Sequence, residues 1–487
     1  MKKTFTKLFS TGLLIGLTCV GFVANAQTAS LTNTDGTQVA PATVTTAPYT
    51  PKNDFKPTDK VTGEKTTANK AAAEDTSWKP QRRVWGYTFG DFYYDAHADN
   101  DFVGATGVPE GGAGALSKRG AETNYSGVPT YRNAFQFRRI YLGYDYEITK
   151  KFKAEFLLAS EPSANTSASA TASSIQNGDN LVDGKMALWI KNANLRVRDL
   201  WTGTDFVIGE MSTPSFALNE PGTNAPTSLS ETTWSYRSIE KTVTDFHKNN
   251  SYDIGAALQG TFDPSTKNFG YVLMLGDNSQ ASLLSAASAN TGFYKIVYGD
   301  IWGKFADQHI YVDFYADYAK TAPATAVIPG QDHSMLKLFV AYLSKPINVG
   351  VEAYTQKFAS GVNSITPTTP PVTTPVDATA EALSIWVRGP IVKNLNFFAR
   401  FDTYNPDNDF NTGDSYSTNT NYSSYNPTVK EKFYTAGLDY NPTKNVHFEP
   451  NFWLVDYADQ RTSSTTGYVA PDHTLVFRFT FFYTFGK

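Results

Sequence analysis

Asn133–Glu161 reads NAFQFRRIYLGYDYEITKKFKAEFLLASE. Ile140, Leu142, Tyr144 and Tyr146 hold the even positions, with Tyr141, Gly143 and Asp145 between them and Arg139 before them. An apolar face alternating with a more polar one has a period of two, which marks a strand whose two sides meet different surroundings. Ile148-Thr149-Lys150-Lys151 turns the chain, and the alternation resumes with Phe152, Ala154, Phe156 and Leu158 against Lys153, Glu155 and Ala159. One such hairpin suits a soluble sandwich as well as a membrane barrel, so the decision falls to the rest of the chain.

The pattern recurs to the C-terminus. Strands are predicted near 83–94, 134–147, 152–161, 185–198, 204–213, 252–262, 269–276 and 293–303, and again near 308–320, 335–345, 347–358, 380–389, 395–404, 431–440, 446–457 and 473–485. Their connections alternate in length. Asp95–Arg132, Pro162–Gly184, Pro214–Ser251, Asp277–Gly292, Thr321–Ser334, Ala359–Thr379, Asn405–Lys430 and Ala458–Asp472 are long, and those between are turns of a few residues. A soluble sandwich has no reason to sort its loops by parity, whereas an outer-membrane barrel does, with short periplasmic turns and long extracellular loops. In the last segment Leu475, Phe477, Phe479, Phe481, Tyr483 and Phe485 share one face, and Thr474, Val476, Arg478, Thr480, Phe482 and Thr484 the other. In water that aromatic face is an aggregation hazard; against lipid it is an ordinary lining. The expected fold is all-β, a 16-stranded antiparallel transmembrane barrel over 83–487.

Composition agrees. Aromatic residues are 14% of 487, yet mean hydropathy is −0.35, as expected of strands with one wet face and rings at the membrane interfaces. Trp85, Tyr87 and Phe89 read as part of such a girdle. Residues 1–26 read as a secretory signal: Lys2, Lys3 and Lys7, an apolar core from Leu8 to Val23, then Ala24-Asn25-Ala26. Its removal takes away three lysines and no acids, moving the formal charge from −4 to −7, and removes the single cysteine, Cys19. Disulfide and thiol chemistry are thereby excluded, and nothing points to nucleic acid. Beyond the signal no run of about 18 apolar residues remains to form a spanning helix. Residues 27–82, rich in Thr, Ala, Pro and Lys, read as a disordered periplasmic arm.

At three places the chain resembles the Gram-negative outer-membrane porins, in particular the phosphate-selective porin O and P family. Phe137-Arg138-Arg139 with Ile140-Tyr141-Leu142-Gly143 is similar to that family's second-strand motif. Gly209-Glu210-Met211-Ser212-Thr213-Pro214 is similar to its Gly-Gln-x-Lys-x-Pro strand end, and Tyr236-Arg237-Ser238 to the Glu-Arg-Ser of its third long loop. The resemblance implies a homotrimer in outer-membrane lipid and lipopolysaccharide, inserted by the barrel-assembly machinery, with the third long loop folded inward to narrow a pore for small solutes. Ser212 stands where the family has lysine, and Gly486 and Lys487 follow the final aromatic residue. In the third loop Arg237, Lys241 and Lys248 face Glu220, Glu231, Glu240 and Asp245, so charge selectivity stays open.

A pore works by fixed charge at a constriction, where low-dielectric walls focus the field on a passing solute. The constriction candidates are Trp234, Tyr236, Arg237, Glu240, Lys241, Phe246 and Lys248. Strand parity predicts Arg139, Lys153, Glu155, Asp313, Asp317, Arg400, Asp402 and Arg478 on the lumen side, as solute contacts or as salt bridges that stiffen the wall. It sends Arg138 outward, to snorkel at the rim or to meet a neighbouring subunit. Asp407-Asn408-Asp409-Phe410-Asn411 has calcium-like spacing without the glycine and late glutamate of a calcium loop, and the six histidines show no metal spacing, so no metal or cofactor is expected. No hydrolase, Walker or zincin motif is present, which argues against an enzyme. Three functions remain: a passive porin, an anion or phosphate channel, and a plugged structural or adhesive barrel acting through its loops.

Overall fold

The computed structural model describes residues 78–97, 131, 133–160, 181–182, 185–186, 188–215, 242–247, 251–277, 294–321, 330, 332–366, 369–370, 372–409, 415–418, 429–459 and 473–486. The chain divides into two compact units, Met1–Ala73 and Glu74–Lys487. The first lies outside the described residues, and with it the predicted signal and most of the predicted arm.

The second unit is a ring of antiparallel strands. In chain order they are β1 (Gln81–His97), β2 (Asn133–Glu147), β3 (Phe152–Ser160), β4 (Trp189–Trp201), β5 (Thr204–Ser212), β6 (Tyr252–Thr261), β7 (Phe269–Gly276) and β8 (Ile296–Phe305). There follow β9 (Ile310–Ala319), β10 (His333–Leu343), β11 (Asn348–Thr366), β12 (Val372–Val392), β13 (Leu395–Asn405), β14 (Val429–Thr443), β15 (Val446–Asp459) and β16 (His473–Phe485). Each strand pairs with the next in sequence, and β1 pairs with β16 from Gly86↔Phe485 to His97↔Leu475, which closes the ring. The predicted 16-stranded antiparallel barrel is the observed fold.

Side chains alternate as the pleat demands. On β16, Phe477, Phe479 and Tyr483 are exposed on the outer face, while Val476, Arg478 and Thr480 are buried on the inner one. The same division runs through β9, where Phe314 and Tyr318 point out and Asp313, Tyr315 and Asp317 point in. Ionisable groups inside and large apolar groups outside invert the order of a water-soluble protein, and that inversion identifies the outer face as the lipid-facing one.

The inner face carries a repeated device. Trp85, Trp302 and Trp386 are buried there, and each stands opposite a glycine on the adjoining strand: Trp85↔Gly143, Trp302↔Gly270 and Gly350↔Trp386. A Cβ on any of these glycines would lie 2.1–2.3 Å from the indole. The missing side chain is what lets the ring lie flat across the neighbouring strand.

The girdle reading of Trp85, Tyr87 and Phe89 is corrected: Trp85 and Phe89 are buried on the inner face with Tyr87 packed against them, not turned to the lipid interface. The structure departs from the sequence reading in three further places. β4 begins at Trp189 rather than 185, because Lys185–Met186 pairs antiparallel with Leu181–Val182 in a two-stranded sheet of its own. The sixth long connection is instead strand: β11 and β12 run on together to Thr366↔Val372, and Ser415–Thr418 adds to the β11 side. Val372, Thr373, Thr374 and Val376 favour strand by their branched side chains, and Pro375 is tolerated because β12 meets β13 only from Glu381 onward. The third departure, at Arg138, bears on the inner wall.

Candidate functional site

On β2 the register with β1 slips between Phe89↔Arg139 and Gly90↔Phe137, leaving Arg138 as a bulge. One extra residue reverses the parity of everything before it. Phe135 and Phe137 therefore face out, and Arg138 joins Arg139 on the inner wall. The outward placement of Arg138 is thus corrected: neighbouring residues point opposite ways only where the pleat is regular. Arg138 Nε lies 3.6 Å from Asp91 Oδ2, with its guanidinium 5.3 Å from the centre of the Trp453 ring. Arg139 donates to the Tyr141 hydroxyl at 2.8 Å. A second slip, between Leu157↔Asn192 and Leu158↔Ile190, does the same for β4. There Lys191 is buried and donates to that same Tyr141 hydroxyl at 2.8 Å.

Lys153 and Glu155, on β3, belong to a belt of alternating charge that crosses five strands near the short turns. Arg83 meets Asp145 at 2.9 Å, Lys153 lies 4.0 Å from Asp145 and 2.7 Å from Glu155, and Arg196 lies 3.7 Å from Glu155 and 3.1 Å from Asp205. Arg400 and Asp402, both buried on β13, form a bidentate pair with two contacts of 2.8 Å. Arg478, on β16, pairs with Asp91 of β1, which is 0% exposed and also accepts from Thr480 Oγ1 at 2.7 Å. The Arg478 guanidinium is 4.3 Å from the Trp453 ring centre, so two arginines flank that indole.

Asp313 and Asp317 lie in a different sector. From β6 to β11 the inner wall carries Asp253, Asp300, Asp313, Asp317 and Glu352, with Lys337 as a buried cation among them. Two of these acids are held by phenols: Asp317 accepts from Tyr315 Oη at 2.5 Å and Asp253 from Tyr298 Oη at 2.7 Å. Lys337 Nζ donates to the carbonyl of Ser215, and Glu352 Oε1 accepts from the Thr244 hydroxyl and, at 3.2 Å, from its backbone N–H. Ser215 and Thr244, each 0% exposed, sit near the two ends of the connection between β5 and β6, the third long loop. Thr244 lies in α1 (Val243–His247), a single turn. Of the constriction candidates, Trp234, Tyr236, Arg237, Glu240, Lys241 and Lys248 fall outside the described residues. Phe246 lies in α1, and its side chain is likewise outside them.

Several inner-wall groups escaped the sequence reading. Lys337 and Glu352 alternate with Leu336, Leu338, Val351 and Ala353, a signal that parity on β10 and β11 carries. Glu210 is reachable by no parity rule: Gly209 has φ +124°, and that twist brings the next residue to the inner wall, within range of Lys191 and Asp253. The acid run after β13 is a loop fastener: Asp407 Oδ1 accepts from the N–H groups of Asp409 at 3.1 Å and Thr379 at 3.2 Å. On the β6–β7 turn, partial burial works to raise the Asp263 carboxyl. Hydrogen bonds from Thr266 and the N–H groups of Asn268 and Phe269 outweigh it and hold the group below its ordinary range.

Fold and inner wall together define a closed transmembrane β-barrel with its ionisable groups turned inward. No family model matches the sequence, and no curated protein does. Among solved structures, the chain is similar to the outer membrane channel DcaP of Acinetobacter baumannii, at 12% identity over 85% of this chain and 100% of that one, TM-score 0.49. It is similar also to the anion-selective porin from Comamonas acidovorans, at 11% identity over 84% and 100%, TM-score 0.46. A third is OmpT, expressed in the outer membrane of Vibrio cholerae, at 9% identity over 83% and 98%, TM-score 0.46.

Proposed function

We propose that the chain forms an outer-membrane channel for passive diffusion of small hydrophilic solutes, narrowed by its third long loop. The observation that carries this is the inverted wall: a 16-stranded ring with lipid-compatible residues outside and a charged lining inside. A ring of that size is wider than its own side chains can fill, and it leaves an aqueous path unless other segments enter. Ser215 and Thr244, buried against Lys337 and Glu352, favour entry of the third loop. Among the described residues, buried Asp and Glu outnumber buried Lys and Arg, which favours cations over the phosphate selectivity of the resembled family. A homotrimer belongs to the same proposal.

One observation favours a plugged barrel instead. Trp302, Phe339, Trp386, Phe398, Phe433 and Trp453 form a buried apolar cluster on the inner side, a lining unlike that of a uniformly wet pore. Single-channel recording of the refolded protein in a planar bilayer separates the two. Conductance in steps of three with a cation-side reversal potential under a salt gradient is expected. A silent bilayer from protein with heat-modifiable gel mobility refutes the channel.

A further inference from the structure

We infer that Asp439, His447 and Glu449 form a divalent transition-metal site on the inner wall, close to the short-turn end of the β14–β15 hairpin. One donor atom from each lies within 4.8 Å of the others. The register Gly437↔Asn451 and Tyr440↔Phe448 sets Asp439 directly opposite Glu449, and both carboxylates are buried. Two like charges facing each other across a ladder repel, and burial sharpens the repulsion. Asp439 accepts from the Asn396 amide at 3.2 Å and lies 2.8 Å from His447 Nδ1, an ion pair when the imidazole is protonated. A divalent ion taking the place of that proton would hold both carboxylates and the imidazole at once.

The chemistry of the donors selects the ion. Two carboxylates and one imidazole suit Zn2+ or its borderline neighbours, and bonds of about 2.0–2.1 Å in a tetrahedron place neighbouring donors about 3.3 Å apart. The surroundings hold the donors in place. Asn396 fixes the second Asp439 oxygen, and the Phe482 ring packs over the imidazole with centroids 5.1 Å apart. Three protein donors leave a fourth position for water. The site does not depend on whether the barrel conducts.

Isothermal titration of the full chain, folded in detergent, with Zn2+ is expected to show one site per chain. His447→Ala should weaken it by more than about tenfold, and Asn396→Ala by about tenfold, through loss of the group that orients Asp439. His97→Ala/His473→Ala, which removes a stacked imidazole pair at the opposite rim (centroids 4.0 Å apart), should leave it intact. An unchanged isotherm for His447→Ala, or a loss seen only with the His97/His473 variant, overturns the assignment. Folding is followed by heat-modifiable gel mobility. Should His447→Ala not fold, Co2+ added to the unaltered chain decides: intense visible absorption marks the tetrahedral nitrogen-containing site, and weak octahedral absorption overturns it.

Discussion

Replacing Gly350 with alanine should cost the barrel about 1–2 kcal/mol. The new Cβ would lie 2.3 Å from Cε2 and Cζ2 of Trp386 and 2.6 Å from its Nε1, so one strand or the indole must move by about 1 Å. Trp386 is 3% exposed and has no open space to retreat into. Overpacking of this kind costs about 1–3 kcal/mol. Against it stands the ordinary gain of replacing glycine within a strand, about 0.5–1 kcal/mol. Gly299→Ala is the control, since a Cβ there meets nothing nearer than 3.9 Å, and it should be neutral or mildly stabilising. Equilibrium denaturation in detergent, followed by far-UV circular dichroism so that loss of an indole does not distort the signal, measures each variant. Trp386→Val in the Gly350→Ala background should recover part of the loss, giving a coupling of favourable sign. If Gly350→Ala is as stable as Gly299→Ala, or the double variant is simply additive, the indole-over-glycine account is wrong.

Asp402→Ala removes the bidentate partner of a buried guanidinium and should destabilise the barrel by about 3 kcal/mol, whereas Arg400→Met/Asp402→Leu should cost less, by the same denaturation assay. The Asp263 carboxyl is held below its ordinary range in the folded turn, so its contribution is present at neutral pH and fades as pH falls through its folded pKa. The stability difference between the unaltered chain and Asp263→Asn should therefore shrink below about pH 4. Thr244→Val removes the hydroxyl that Glu352 accepts, and in single-channel records it should raise open-channel noise without changing the step number. An unaltered trace counts against an inward third loop.

The ring itself was legible because lipid enforces strict alternation. Along β9 and β16 every second residue declares its side, and turns such as 148–151 and 393–394 stand out by their shortness. Where nothing enforces alternation, the reading slips. The extension of β11 and β12 beyond the barrel has no lipid to select one face, so its Thr- and Pro-rich sequence reads as loop. The inner wall was half legible. Parity placed Arg400, Asp402 and Asp313 on one side of their strands, but a bulge leaves no mark in composition, so Arg138 was sent to the wrong face and Lys191 went unseen. Gly209, with its positive φ, hides Glu210 in the same way. The meeting of Asp439, His447 and Glu449 requires the register between β14 and β15, which no spacing along the chain encodes.

The seam between β1 and β16 governs the timing of assembly. Arg478 and Asp91 are 387 positions apart, while every other ladder between the sixteen ring strands joins sequence neighbours. Loop-closure entropy grows only by about 0.6 kcal/mol for each doubling of length, so the distance is a modest thermodynamic burden. Kinetically it is decisive. Until Phe485 docks beside Gly86, the sheet has two raw edges and an aromatic outer face, and both invite association with other chains. Fifteen finished strands are thus no nearer to a sealed vessel than two. Loss of β16 should therefore yield an open ribbon rather than a smaller barrel.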